Sequence, residues 1–382
     1  MRVDDEIKET PISEYTEPSI VDSKIYHVYF VMKNKEYTSF EKMFENTDLY
    51  NIEFSPNFET KSLTNTAFMF NSAKLSEITL NNFDTSKVTN MESMFCNTVV
   101  EDPTFFGKFK LDNVVNMDKM FYRTLFETFT FPNLNAPHLT SIEEFLFSNT
   151  RLWSIDISNF NAPNLLTMKG MFNNNYDLKY IELKDLNAPK LQNIKEMFNE
   201  CRNLISVDLS VFKSKEITDI SYLFNRCEDL KSISFSGFNT NKVTDMSYLF
   251  SYSGITTFDL KDINTESVTN MESMFNEVKA EEIDVSMFNT KNVVNMKNMF
   301  EYGEMTRMDV SNFIFNSEVD ARYIFQFCKK LTYLDISSLE YRNKNMDTYF
   351  YSHPDEGTIY VHESFRDKLG SSYENWNINY KN

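Results

Sequence analysis

Seven acidic residues share one register along the chain: Asp156, Glu182, Asp208, Asp259, Asp284, Asp309 and Asp335. They recur at steps of 25 or 26 residues, with Ser234 holding the same place between Asp208 and Asp259. Carboxylates repeated in this way could hold cations, either the Lys and Arg side chains of a basic partner or weakly bound Ca²⁺. The simpler reading is that they are solvated and hydrogen-bonded to nearby serines. The residues two places on are Ser158, Lys184, Ser210, Lys261, Ser286, Ser311 and Ser337. Carboxylates stacked about 5 Å apart in water repel by roughly 0.8 kcal/mol, which solvent tolerates but which accumulates along a row. Tyr180 and Tyr333 stand two residues before their acids, and exposed tyrosines are frequent binding anchors. These nine residues are the candidate binding face. Repeated carboxylates do not make the unique couple in a pocket that acid–base catalysis needs.

Other reactive residues are few. Cys96, Cys201, Cys227 and Cys328 form no Cys-x-x-Cys pair, so no zinc site is suggested. They read as small buried fillers, although Cys201 and Cys227 fall on neighbouring units within reach of a disulfide. His27, His138, His353 and His362 are scattered. No two of the 7 glycines lie within ten residues of each other, which excludes phosphate loops and dinucleotide fingerprints. Neither a nucleophile elbow nor a His-Glu-x-x-His motif is present. The chain therefore reads as a non-enzyme, with no catalytic residue, no metal and no cofactor.

The elements that position the acidic row repeat with it. A phenylalanine closes a Met-Phe-like pair at Phe44, Phe70, Phe95, Phe121, Phe147, Phe172, Phe198, Phe224, Phe250, Phe275, Phe300, Phe325 and Phe350. Every step is again 25 or 26, giving about thirteen units over residues 25–350. In the first half of each unit, as in Leu204 to Phe212, apolar residues at the first, fourth, sixth and ninth places predict a short β-strand. In the second half, Val88, Met91, Met94 and Phe95 fall at i, i+3, i+6 and i+7, the stripe of a two-turn helix. Thr89 with Glu92, and Thr269 with Glu272, look like capping boxes. One such unit cannot bury its own apolar face, so neighbours must stack. The expectation is an α/β repeat solenoid, with a parallel sheet on one face, short helices on the other and a continuous interior column of phenylalanines.

Two places depart from the pattern. Asn-Ala-Pro replaces Asn-Thr at 135–137, 161–163 and 187–189, and the stretch 99–110 strays furthest from the strand phrase, although its Phe105 still falls at the outward place. Residues 1–24 are expected to form an N-terminal cap or segment and residues 351–382 a C-terminal cap, in which Trp376 could seal the last core.

Of the 382 residues, 41% are apolar and 25% charged, with 36 Phe and 20 Tyr, a folding rather than a disordered composition. The net charge of −18 argues against nucleic acid and against an anionic membrane surface. It favours a basic partner. The first 24 residues are polar and acidic, so no signal peptide is expected in them, and no apolar run approaches a membrane span.

The full phrase, seen in SFSGFNTNKVTDMSYLF (234–250), TFDLKDINTESVTNMESMF (257–275) and EEIDVSMFNTKNVVNMKNMF (281–300), resembles the BspA-like leucine-rich-repeat surface proteins. The resemblance covers most of the chain. It implies a leucine-rich-repeat solenoid and adhesion-type binding of a protein or glycan at a cell surface. Alternatives left open are a structural component of a larger assembly, such as a virion or appendage, and a cytoplasmic effector that binds a basic protein.

Overall fold

A computed structural model describes residues 37–48, 51–54, 60–75, 77–80, 83–341, 354–369 and 373–381, together with three two-residue strands nearer the start. The chain divides into two compact units, Met1–Tyr37 and Thr38–Asn382. In the first, β1 (Arg2–Val3) pairs antiparallel with β2 (Glu6–Ile7) and with β3 (Val28–Tyr29).

In the second unit every paired strand is parallel to its neighbour and follows it in chain order. β4 (Asn51–Glu53) pairs with β5 (Glu77–Thr79), and β6 (Thr128–Thr130) with β7 (Ser154–Asp156) and β8 (Tyr180–Glu182). β9 (Ser206–Asp208) pairs with β10 (Ser232–Ser234), and β11 (Arg307–Asp309), β12 (Tyr333–Ile336), β13 (Gly357–His362) and β14 (Trp376–Lys381) form the last sheet. A second ladder of parallel bridges joins Ser39, Asn65, Asn90, Asn116, Ser141, Thr167, Asn193, Asp219, Asp245, Asn270, Asn295 and Asp320, one residue from each of twelve rungs. The repeat is therefore a parallel-stranded solenoid whose rungs match the sequence period.

The second half of each rung is not helical. Among the described residues there is no α-helix, and the stretches between strands hold turns and a few short 3₁₀ segments. The amides of Met91, Ser93, Phe95 and Asn97 donate to carbonyls of the next rung, on Asn116, Asp118, Met120 and Tyr122, at 2.7–2.9 Å. The intervening amides of Met94 and Cys96 close turns onto Met91 and Ser93 of their own rung. With alternate amides used between rungs, no i→i−4 series can form. Ser93 and Asn97 take φ of 51° and 55°, the left-handed third residue of type II-like turns. The same pair recurs in every rung from Lys42 and Asn46 to Tyr323 and Phe327. Helices packed side by side need about 8–10 Å, whereas strands lie about 4.8 Å apart. The spine rings on the turn side are 5.3–5.7 Å apart at most steps, too close for a helix in each rung.

The expected capping boxes are replaced accordingly. The Asn90 side chain accepts the amide of Glu92 at 3.0 Å, as Asn270 does from Glu272 at 3.1 Å. Thr89 and Thr269 instead donate their hydroxyls to the previous rung, on Thr64 and Thr244.

The phenylalanine column forms with one substitution. Phe44, Phe70, Phe95 and Phe121 stack in sequence, as do Phe172, Phe198, Phe224, Phe250, Phe275, Phe300 and Phe325. Between the two runs the interior position belongs to fully buried Leu146, not to Phe147. The left-handed residues Glu144 and Ser148 fix this register, and Phe147 lies half-buried, stacked on Tyr122 at 4.7 Å. Phe350 lies outside the described residues. The irregular stretch after Val100 forms a 3₁₀ segment, Thr104–Lys108, in place of a strand. It turns both Phe105 and Phe106 inward, so Phe105 is buried rather than facing out. Beside the spine runs a buried polar column. Asn175 Nδ2 donates to the carbonyls of Leu146 and Phe172 at 2.8 and 2.7 Å, and its Oδ1 accepts the Asn149 amide at 2.8 Å. Cys201, Cys227 and Cys328 hold the same place in later rungs, each thiol donating to a Phe carbonyl of the preceding rung at 3.0–3.1 Å. All four cysteines are buried free thiols. Burial pushes Cys96 up to about 11 and Cys328 to about 12.

Trp376 is buried at the start of β14, donating from Nε1 to the Pro354 carbonyl at 3.0 Å. A side chain at Gly357 would place its Cβ 2.8 Å from that indole ring, so the close approach requires glycine there.

Candidate recognition surface

The strands that carry the acidic row are only three or four residues long in the repeats, and each turns its central side chain inward, buried except at half-buried Ile181 of β8. In β7, Ile155 points inward while Ser154 and Asp156 face the other side. Parallel register then sets like positions side by side: Ser154 beside Tyr180 and Asp156 beside Glu182, Asp208 beside Ser234, and Asp309 beside Asp335. Asp259 and Asp284 are exposed too, but on stretches that lack strand pairing. Glu182, Asp208 and Asp309 are exposed and Asp156 is half-buried. Asp335 departs from the expectation, because it is only 2% exposed.

Most of these carboxylates are tied to their own loops. Ser158, Ser311 and Ser337 donate from both amide and hydroxyl to Oδ1 of Asp156, Asp309 and Asp335, at 3.0–3.1 and 2.7 Å respectively. The Ser210 and Ser286 amides donate to Asp208 and Asp284 at 2.9 Å. The Ser286 hydroxyl, then its amide, holds the Asp284 carboxyl below the ordinary aspartate value. Lys261 does the same for Asp259 through a 2.8 Å contact. In all of these but Asp335, whose second oxygen is taken by Lys381, one carboxylate oxygen is thus used locally and the other is left to face solvent or a ligand. Glu182, one methylene longer than aspartate, forms no such bond among the described residues.

The two tyrosines have different surroundings. Tyr180 is 50% exposed and meets the edge of Trp153, itself 47% exposed, at 6.3 Å between ring centroids. Lys179 Nζ lies 5.4 Å from the Tyr180 ring. Tyr333 is half-buried, with the Arg307 guanidinium over its face at 3.4 Å and Tyr360 on its far side at 5.5 Å. Lys381 lies over Tyr360 and ion-pairs with Asp335 at 2.6 Å. Burial pulls the Asp335 carboxyl up, but hydrogen bonds from Lys381 and Ser337 outweigh it, and the group lies below the ordinary aspartate range.

Trp153, Arg307, Tyr360 and Lys381 were not foreseen. Trp153 had a readable signal, since it occupies a non-anchor place in Leu152-Trp-Ser-Ile155-Asp-Ile157 and cannot join the core without breaking the pattern. Arg307 had none, because an arginine at that place is unremarkable until register sets it beside Tyr333.

An open groove of about 610 Å³ crosses the edge of the Asn-Ala-Pro rungs, bordered by Val115, His138, Leu166 and Lys190. The Asn-Ala-Pro asparagines form their own ladder there: Asn161 donates to Asn135 at 2.6 Å and Asn187 to Asn161 at 2.7 Å. His138 meets no carboxylate or nucleophile in that lining, and His362 accepts the Ser364 amide at the C-terminal end. His27 and His353 lie outside the described residues. Among the described residues, no three His, Cys, Asp or Glu side chains converge as a metal would need, and no helix is long and apolar enough to cross a membrane.

Residues 32–128, 140–254 and 251–356 match the family described as Mycoplasma protein of unknown function, DUF285. The chain belongs to this family. Among solved structures, this DUF285 member is similar to a leucine-rich repeat protein from Bacteroides ovatus, at 13% identity over 87% of this chain and 92% of that one, with a TM-score of 0.38. It is also similar to the functional domain of InlJ from Listeria monocytogenes, at 13% identity over 80% of this chain and 69% of that one, with a TM-score of 0.19. No curated protein matches it. The repeat geometry of this DUF285 chain therefore rests on its own parallel ladders and stacked rings.

Proposed function

We propose that this protein is a non-enzymatic binding protein that recognises a basic protein partner through the open face of its stacked strands. The observation that carries this reading is the outward row Asp156, Glu182, Asp208, Asp259, Asp284 and Asp309, accompanied by exposed aromatic rings at Trp153 and Tyr180. Exposed aromatic anchors among charged neighbours are the usual composition of binding hot spots. A solenoid supplies an extended surface rather than a closed cleft. The resemblance of its repeat phrase to BspA-like surface proteins supports an adhesion-type role at a cell surface.

The test uses the purified chain on arrays of basic peptides and of glycans, beside a variant with Asp208→Asn, Asp259→Asn and Asp284→Asn. Salt-sensitive binding to basic peptides that drops at least tenfold in the triple variant supports the reading. Binding confined to glycans, or peptide binding indifferent to the triple variant, refutes it.

A further inference from the structure

The C-terminal rungs and the rungs at 153–182 carry the same outward element, a tyrosine followed two residues later by an acid. At Tyr333 and Asp335 the chain fills it with its own cations. Arg307, the register partner of Tyr333 on the preceding strand, lays its guanidinium on the ring at 3.4 Å, and Lys381 pairs with Asp335 at 2.6 Å. At Tyr180 and Glu182 the register partner on the preceding strand is Ser154, too short to cover the ring. Lys179 Nζ lies over that ring, but at 5.4 Å from its centroid against 3.4 Å for the Arg307 guanidinium over Tyr333. The ring is half exposed, Trp153 adds a second exposed aromatic surface beside it, and Glu127, Asp156 and Glu182 lie on the three rungs around the pair. Among the described residues Glu127 and Glu182 form no ion pair.

Building on the reading of the strand face as a recognition surface, we propose that Trp153, Tyr180, Asp156 and Glu182 form a docking platform for an extended basic peptide segment, with an arginine side chain laid over Tyr180 in the place Arg307 takes over Tyr333. A guanidinium suits the position because it stacks flat on an aromatic ring while its edge donates to carboxylates. Net charge favours the same occupant, since the chain carries −18 and the platform's rim is acidic.

The protein offers its own way to close the platform: Ser154→Arg supplies in cis the cation that Arg307 supplies at the C-terminal rungs. The experiment titrates the full chain with a capped hexa-arginine peptide and, separately, with a neutral linear glucose hexasaccharide, following tryptophan emission. Trp153→Phe identifies the signal of Trp153, because the second tryptophan, Trp376, is buried. The expected result is a saturable change of Trp153 emission with the peptide, weakened about tenfold by Ser154→Arg and by Tyr180→Ala. Ser232→Arg adds the same charge to the exposed face of β10 and is expected to weaken binding by less than threefold. Thermal melting checks that each variant folds. Equal loss in Ser154→Arg and Ser232→Arg overturns the platform in favour of diffuse charge. Peptide binding that leaves Trp153 silent, or a saturable response to the hexasaccharide alone, also overturns it. If array binding is still removed by the three Asp→Asn substitutions while Tyr180→Ala has no effect, the platform fails and the broader reading of the face survives.

Discussion

Whether the Met-x-x-Met-Phe segments are turn ladders or helices can be decided by one pair of substitutions with opposite signs. Gly170 sits at φ 58° and donates its amide to the Lys195 carbonyl at 2.8 Å. A Cβ there would come within 3.2 Å of Glu144 Cγ, part of a flexible side chain that can move aside. The backbone therefore decides the outcome. A left-handed L-residue costs about 1–2 kcal/mol, while the stiffer unfolded chain of the alanine variant offsets about 0.4–1 kcal/mol. Gly170→Ala is expected to lose about 1 kcal/mol on balance. In an α-helix the same change would gain about 0.8–1 kcal/mol. Ser273, at φ 54° in an equivalent place, reverses the argument: Ser273→Gly is expected to gain about 0.5 kcal/mol, where a helix would lose a similar amount. Urea unfolding followed by far-ultraviolet circular dichroism measures both. Amide exchange at Phe172, which donates to Met197 of the next rung, gives a local readout, because repeat arrays need not unfold in one step. A stabilised Gly170→Ala together with a destabilised Ser273→Gly would refute the turn ladder.

Other consequences follow from the packing and the charges. Phe224 lies nearly parallel between Phe198 and Phe250 at 5.7 and 6.3 Å, so Phe224→Ala is expected to cost about 3–5 kcal/mol in urea unfolding. Leu146→Ala should cost more than Phe147→Ala, the reverse of what ring size suggests, because Leu146 is the residue in the interior column. Asn175→Ala strands the Leu146 carbonyl and the Asn149 amide and leaves the Phe172 carbonyl only the Cys201 thiol, and at about 1–3 kcal/mol for each unsatisfied buried group it is expected to cost at least 2 kcal/mol or so. Asp335 has a lowered pKa in the fold, so its stabilising contribution is full above the ordinary aspartate value of about 3.9 and is lost as pH falls through the lower native value. Acid titration of stability should therefore fall less steeply below about pH 4 in Asp335→Asn than in the parent chain. An unchanged slope would mean that the Lys381 pair does not form in solution.

The recurrence of Phe, Met and the outward acids every 25 or 26 residues was enough to give stacking, parallel strands and the interior column. A short period cannot close a core alone, so the physics of burial left one architecture. The same pattern could not separate helix from turn. Residues at i, i+3 and i+4 point inward in both, and Met91, Met94 and Phe95 are fully buried in the turn ladder as they would be in a helix. What separates them is where the intervening amides go, and that depends on the 5 Å step to the next rung rather than on side-chain type. Phe147 shows the same limit at one position, where the interior place passed to Leu146 through a one-residue register that only the left-handed turns fix.

The surface divides in the same manner. Sequence determined which residues face outward, because alternation about a buried anchor is local: Asp156, Tyr180, Glu182 and Asp208 stand where the strand phrase puts them. Tertiary structure decided which of them are occupied. Asp335 and Tyr333 obey the same phrase, yet the chain covers them with Lys381 and Arg307, the former 46 residues from its carboxylate partner. A charge or a ring is defined by its residue alone, but whether it is available depends on what the rest of the fold brings over it.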